Sequence, residues 1–144
     1  MDESNPDQPS LELLKKQFSE CDTYTRLIGA ELVELGRGTA TVRMAVRKDS
    51  LNFNGTCHGA AIFAIADFAF GAAANSYGEM AAGIDAHITF VAAGKLGETL
   101  TATAREVSRS RKLAVYQIDV TGAQAGHISS FTGTVYIMGR KNYS

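Results

Sequence analysis

The sequence predicts an α+β domain in which a curved antiparallel sheet of about five or six strands wraps around one long central helix. Three observations lead there. Residues 60–75 (AAIFAIADFAFGAAAN) are the most apolar run of the chain, several helical turns long and without a continuous polar face. Segments before and after that run alternate apolar and polar residues, the period of a strand buried on one side. The links Gly94-Lys95-Leu96-Gly97 and Gly122-Ala123-Gln124-Ala125-Gly126 have hairpin length and composition, so consecutive strands run antiparallel rather than as βαβ units.

Taken in chain order, residues 1–9 are polar and hold both prolines, Pro6 and Pro9, which predicts a mobile N-terminal tail; residues 10–144 then form a single domain. Leu11, Leu14 and Phe18 share one face of a short helix that caps the core. Residues 28–35 pair with the next strand as a hairpin through Gly36-Arg37-Gly38. In that second strand Ala40, Val42, Met44 and Val46 alternate with Thr41, Arg43, Ala45 and Arg47. The turn formers Asn52-Phe53-Asn54-Gly55-Thr56 precede Cys57-His58-Gly59, so the central helix starts near His58. Further alternating segments follow at 84–91, 99–107, 113–120 and 129–138.

With 144 residues, 45% hydrophobic and 20% charged, the chain suits one soluble domain with a substantial core. A net charge of −1 supplies no basic field for nucleic acid, although a local cluster of cations can hold a phosphorylated ligand. The 60–75 run is shorter than the ~20 residues a membrane span needs and carries an acid in its middle, so no membrane partner is expected. Cys21 and Cys57 are the only cysteines and no apolar secretory segment opens the chain, which predicts a reduced, cytoplasmic setting. Cys57 reads as a small buried thiol, because adjacent side chains such as Cys57 and His58 do not face one another. His58, His87 and His127 show no paired ligand spacing with the cysteines, so no metal is expected.

Asp67 is the one charge inside the apolar run, and no cation in that segment neutralises it. An ionised acid in a core is costly unless it is paired, hydrogen-bonded or reached by a substrate. Asp67 is therefore either a protonated structural acid or a reactive one.

The ordered set of Asn52 to Gly59, Asp67 nine positions after His58, Gly97-Glu98-Thr99-Leu100 and Arg109-Ser110-Arg111-Lys112 resembles the hotdog-fold acyl-CoA thioesterases. The likeness is greatest to their phenylacetate-degradation branch, whose helix motifs recur here as Ala66-Asp67-Phe68-Ala69-Phe70 and Ala74-Asn75-Ser76, and it covers residues 29–139. It implies the hotdog fold, hydrolysis of CoA thioesters of aryl-acetyl or medium-chain acyl groups, no cofactor beyond the substrate, and a homodimer with shared sites that pairs into a homotetramer. It also implies roles. Asp67 serves as base or nucleophile, and the Gly59 amide at the positive end of the helix donates to the thioester oxygen. His58, at a helix start, either caps the helix by hydrogen bonding or supports the sulfur and carbonyl, the second role being favoured, and Asn52, a turn residue by default, orients substrate or water. Asp85, Phe90, Val91 and Lys95, with Ser108, Arg109, Ser110, Arg111 and Lys112, line the CoA side, where cations meet the phosphates at the mouth of an apolar pocket. Without the resemblance, Arg109 to Lys112 is an ordinary solvated turn and His87 a solvated sheet residue beside Asp85 and Thr89.

The chain departs from the family pattern at Ala60, where a second glycine is usual, at Gly83, where some relatives carry a hydroxyl, and at Asn54, where close relatives carry histidine. Spacing adds a constraint. Eight residues at 1.5 Å rise put Gly59 and Asp67 roughly 12 Å apart on one helix, too far to act on one carbonyl. A two-fold axis that brings Gly59 of one chain to Asp67 of another meets the constraint. A dehydratase of this fold is disfavoured because its motif places a catalytic histidine before a proline-rich loop. The alternative from another class is a noncatalytic acyl-CoA or aromatic-ligand binding module.

Overall fold

A computed structural model describes residues 5–144. The chain runs α1 (Leu11–Cys21), α2 (Thr23–Leu27), β1 (Ala30–Gly36), β2 (Thr39–Ala45), a 3-10 turn (Lys48–Ser50), α3 (Gly59–Ala74), β3 (Glu79–Phe90), β4 (Thr99–Arg109), β5 (Leu113–Gly122) and β6 (Gly126–Lys141). The strands form one 6-stranded sheet in the order β1-β2-β4-β5-β6-β3. Every neighbouring pair is antiparallel. The sheet packs its inner face on α3, which is the hotdog architecture expected from the sequence.

Alternation explains the core. Ala40, Val42 and Met44 of β2, Leu100, Ala102 and Ala104 of β4 and Ala114, Tyr116, Ile118 and Val120 of β5 point inward and are buried. Phe70 of α3 fixes the helix against this surface. Its ring meets Tyr116 at 5.9 Å and Phe131 at 5.6 Å between centroids. Gly133 and Gly83 make room for it, because a Cβ on either would lie 2.7 Å or 3.0 Å from the ring. Gly83 thus has a packing reason: the hydroxyl-bearing side chain of some relatives would press on Phe70.

Several boundaries differ from the sequence reading. β3 begins at Glu79, before the alternating stretch, and β6 continues to Lys141. Both extensions pair with each other through Glu79↔Lys141, beyond the reach of the alternation pattern. The short helix α2 has too few residues to show a period. Of the tail expected at 1–9, residues 1–4 lie outside the described residues. The remainder is tied down, with Gln8 donating to the Tyr77 carbonyl at 3.1 Å, Arg37 to that of Pro9 at 2.7 Å and the Tyr143 hydroxyl to that of Asp7 at 3.0 Å.

The central correction concerns α3. Ile62, Ile65, Ala66, Phe68, Ala69, Phe70 and Ala72 to Ala74 are buried, but Ala60, Phe63 and Asp67 are exposed, and Ala64 and Gly71 are half-buried. These five fall on one stripe at helical spacing. The chain's own sheet leaves that stripe uncovered, so Asp67 stands on an open face and not inside the protomer's core. Strand β3 ends the sheet beside it, with Ile84 60% and Phe90 49% exposed.

Candidate active site

The helix start is built by the loop ahead of it. Asn52 ties residues 52–56 into a knot, its Oδ1 accepting from the Asn54 N–H at 2.9 Å and the Thr56 N–H at 3.2 Å while its Nδ2 donates to the Thr56 hydroxyl at 3.0 Å. Cys57 N–H donates to the Gly94 carbonyl and His58 N–H to that of Ser50, at 2.8 and 2.7 Å. His58 then caps α3: its Nδ1 accepts from the Ala60 N–H at 2.9 Å. With Nδ1 accepting, the neutral ring carries its proton on Nε2, which is a free donor on an exposed side chain. The Gly59 N–H has no hydrogen-bond acceptor among the described residues and sits at the positive end of the helix. The Phe90 ring lies 3.4 Å from where a Gly59 Cβ would be.

Asp67 belongs to another cleft. A cavity of ≈ 450 Å³ opens between α1, α2 and α3, with Phe18, Asp22, Tyr24, Asp67, Phe68 and Asn75 among its walls. Although Asp67 faces solvent, the surrounding cleft walls displace part of the water around its carboxyl and raise it above its usual range, and the negative charge of Asp22 raises it further. Asn75 closes the far end of the helix, donating to the Gly71 and Ala81 carbonyls at 2.9 and 3.0 Å and accepting from the Ala81 N–H at 2.9 Å.

The candidate CoA-side residues divide between two ends of the protomer. Phe90 pairs with Ser129, next to Gly59, and Lys95 is in the loop beyond it, exposed. Leu113 pairs with Tyr136 and Tyr136 with Ala82, so the Arg109 to Lys112 turn sits toward the C-terminal end of α3. Asp85 is exposed on β3 and Val91 just past its end. Arg109 is not a free cation. Its guanidinium lies 4.0 Å over the Tyr77 ring, 3.3 Å from the Tyr116 hydroxyl and 3.8 Å from Glu106, whose carboxylate also accepts from both tyrosine hydroxyls. Burial and the Glu106 hydrogen bond push the Tyr77 hydroxyl up to about 12. Ser110 closes the turn by donating to the Leu113 carbonyl at 3.0 Å, and Ser108 lies exposed at a bulge. Arg111 and Lys112 remain exposed without an ionic partner among the described residues.

Asn52 holds the loop ahead of the helix start, its carboxamide engaged with Asn54 and Thr56, on the Gly59 side of the protomer and away from its own Asp67 cleft. Burial pushes the Cys57 thiol up to about 11, which leaves it unionised and inert. Sequence reasoning missed Asp22, whose sole local signal is its position before a short helix. It also missed Glu106, since nothing in the sequence brings Tyr77 beside Tyr116.

Comparison with known proteins identifies the family. The thioesterase superfamily model matches residues 54–126, which contain His58, Gly59, Asp67 and the loops around them. Acyl-coenzyme A thioesterase PaaI of Escherichia coli is 33% identical over 120 residues, covering 83% of this chain and 86% of its own. The solved structure of the E. coli PaaI protein from the phenylacetic acid degradation operon superposes with a TM-score of 0.84 at 31% identity, over 92% of this chain and 99% of that one. A Streptococcus mutans protein solved with acetyl CoA bound reaches 0.75 at 29% identity, over 79% of this chain and 92% of that one. On its sequence, its strand order and its helix motifs alike, the chain belongs to the thioesterase superfamily.

Proposed function

We propose that this protein hydrolyses acyl-CoA thioesters, of aryl-acetyl or medium-chain acyl groups, in two equivalent sites that form when two copies pair about a two-fold axis. The observation that carries the reading is the position of Asp67: a carboxylate on the open stripe of α3, facing a cleft with apolar walls, on a helix whose free N-terminal amide is eight residues away. Pairing through the open stripes and the exposed β3 edges gives Asp67 of one protomer the Gly59 end of its partner. It also covers Ile84 and the unpaired edge, which a single chain leaves to solvent. The same two-fold brings the Arg111 and Lys112 end of one protomer toward the Lys95 end of the other, so one CoA can meet cations from both.

The thioester oxygen accepts from the Gly59 N–H, with the His58 Nε2–H as a second donor, and gains charge as the carbonyl is attacked. Asp67 takes a proton from water, the hydroxyl adds to the carbonyl carbon, and the C–S bond breaks. The proton passes to the departing thiolate, leaving free CoA thiol and a carboxylic acid. Direct attack by Asp67 is the variant of this scheme, and oxygen-18 incorporation in a single turnover separates the two. The raised Asp67 carboxyl is a stronger base than a freely solvated carboxylate. Phe18, Tyr24 and Phe68 suit an aromatic or alkyl acyl group. Cytoplasmic action, and further pairing into a tetramer, belong to the same proposal; Cys21 and Cys57 as free thiols fit a reducing setting.

The test is thiol release from a panel of acyl-CoA esters, with Asp67→Ala as comparison and light scattering on both proteins. A folded variant that retains dimers and loses turnover supports the proposal. Turnover in neither protein moves the reading to a ligand-binding module, and a monomeric wild type removes the shared site.

A further inference from the structure

The Asp67 cleft contains a second carboxylate for which the reaction above has no use. Asp22 lies at the junction of α1 and α2, where it ends one helix and starts the next. Its N–H donates to the Phe18 carbonyl at 3.2 Å, and its Oδ1 accepts from the Thr25 N–H at 3.2 Å. Backbone and side chain are thereby both fixed. Its Oδ2 has no partner among the described residues. The titratable groups along the cleft are Cys21 from α1, Asp22 from the junction, Tyr24 from α2 and Asp67 from α3. No lysine, arginine or histidine lines it among the described residues.

We propose that Asp22 determines specificity: together with Asp67 it makes the acyl cleft a charge filter that admits uncharged acyl groups and rejects acyl groups ending in a carboxylate. The inference rests on the reading that the acyl group enters the Asp67 cleft. A third anion brought among two others, in a partly dry cleft that no cation lines among the described residues of the chain, is repelled by both. An alkyl or aryl group displaces the same water without that cost. The walls supply apolar contact through Phe18 and Phe68, so the uncharged group is favoured on both counts. The same field acts on Asp67, and each carboxylate keeps the other's surroundings negative.

Asp22→Asn tests the filter, because asparagine caps a helix about as well as aspartate and removes only the charge. The substrates are hexanoyl-CoA and adipoyl-CoA, which share chain length and differ in a terminal methyl or carboxylate. They are assayed at about pH 8, where carboxylates are ionised. Wild type should prefer hexanoyl-CoA, and Asp22→Asn should raise the adipoyl-to-hexanoyl ratio of kcat/KM by about fivefold, the scale of one charge pair across a partly wet cleft. Asp22→Ser, which also caps without charge, must reproduce the rise. An unchanged ratio in either variant overturns the proposal. Should wild type hydrolyse neither ester, the hydrolase reading falls separately. The filter is then read by calorimetric Kd values of the two esters for wild type and Asp22→Asn, with the same ratio deciding it.

Discussion

Replacing Glu98 by glutamine should loosen the loops that carry the helix start. The carboxylate is 3% exposed. Its Oε1 accepts from the Gln124 and Ala125 N–H groups, both at 2.7 Å, and its Oε2 from the Lys95 N–H at 3.0 Å. These bonds join the β3–β4 loop to the β5–β6 turn, and Gly94 of that loop receives the Cys57 N–H just ahead of Gly59. In Glu98→Gln one oxygen becomes an NH2 group that cannot accept, so at least one of these bonds is lost and the others lose their charge assistance. A hydrogen bond to a charged group contributes about 1.5–3 kcal/mol. Glu98 lies just beneath the surface, where water replaces part of what is lost, which sets the expected cost at about 2 kcal/mol. For a domain of this size that is a Tm lower by roughly 6 °C. The pH dependence has a definite sign. Hydrogen bonds from the Ala125 and Lys95 amides hold the carboxyl below its usual 4.5. The contribution is therefore complete above about pH 4.5 and is lost as pH falls through the lower folded value. Glutamine takes up no such proton, so the Tm gap should be widest at neutral pH and narrow in acid. Thermal unfolding followed by circular dichroism measures it. Equal Tm at neutral pH, or a gap that persists unchanged in acid, refutes the reasoning.

Gly133→Ala should cost about 2 kcal/mol, because the added Cβ falls 2.7 Å from a Phe70 ring that Tyr116 and Phe131 prevent from retreating. A lower urea midpoint at constant slope is the expected reading, and an unchanged midpoint removes Phe70's seat as a constraint. Arg111→Ala with Lys112→Ala should raise KM for CoA esters severalfold and spare thioesters that lack the phosphates. Arg109→Ala should act instead on stability, by about 1 kcal/mol, through its lost contacts with Tyr77 and Glu106. Arg109→Ala raising KM as strongly as the double variant would return Arg109 to the phosphates.

The fold was readable where local pattern and packing agree. Val42, Met44 and Val46 alternate and are buried, and the Gly36 to Gly38 and Gly122 to Gly126 turns close hairpins as turn chemistry predicts; the Gly94 to Gly97 link, expected to be a hairpin, instead carries the chain from the edge strand β3 across to β4, which lies between β2 and β5. His58, Gly59 and Asp67 were legible as residue types at a spacing. Their partners were not. Arg109 is taken out of the solvent by Tyr77, 32 positions away in the chain, and by Glu106, and no local period records such a contact. Asn52 likewise spends its amide on its own loop, a choice set by the geometry of one turn.

The misplacement of Asp67 has a physical cause that also explains the composition of its stripe. A helix apolar on all sides is one whose whole circumference is covered, and the chain's single sheet does only part of that covering. The sheet covers the side bearing Ile62, Ile65, Ala69 and Phe70 and leaves Ala60, Phe63, Ala64, Asp67 and Gly71 open. Three of these five are alanine or glycine, small enough for another backbone to approach closely. Under the proposed pairing the stripe is apolar because a second helix lies on it, and the one acid it carries is placed where the partner's helix start arrives. Hydrophobicity around the helix then reports burial in the assembly, whereas exposure in one protomer reports which side the assembly must fill. A catalytic acid there can stay reachable by substrate through the α1–α3 cleft while most of its water is excluded. An acid fully enclosed by its own chain would be protonated and inert, and one on a polar surface would lack the dry surroundings that raise its basicity.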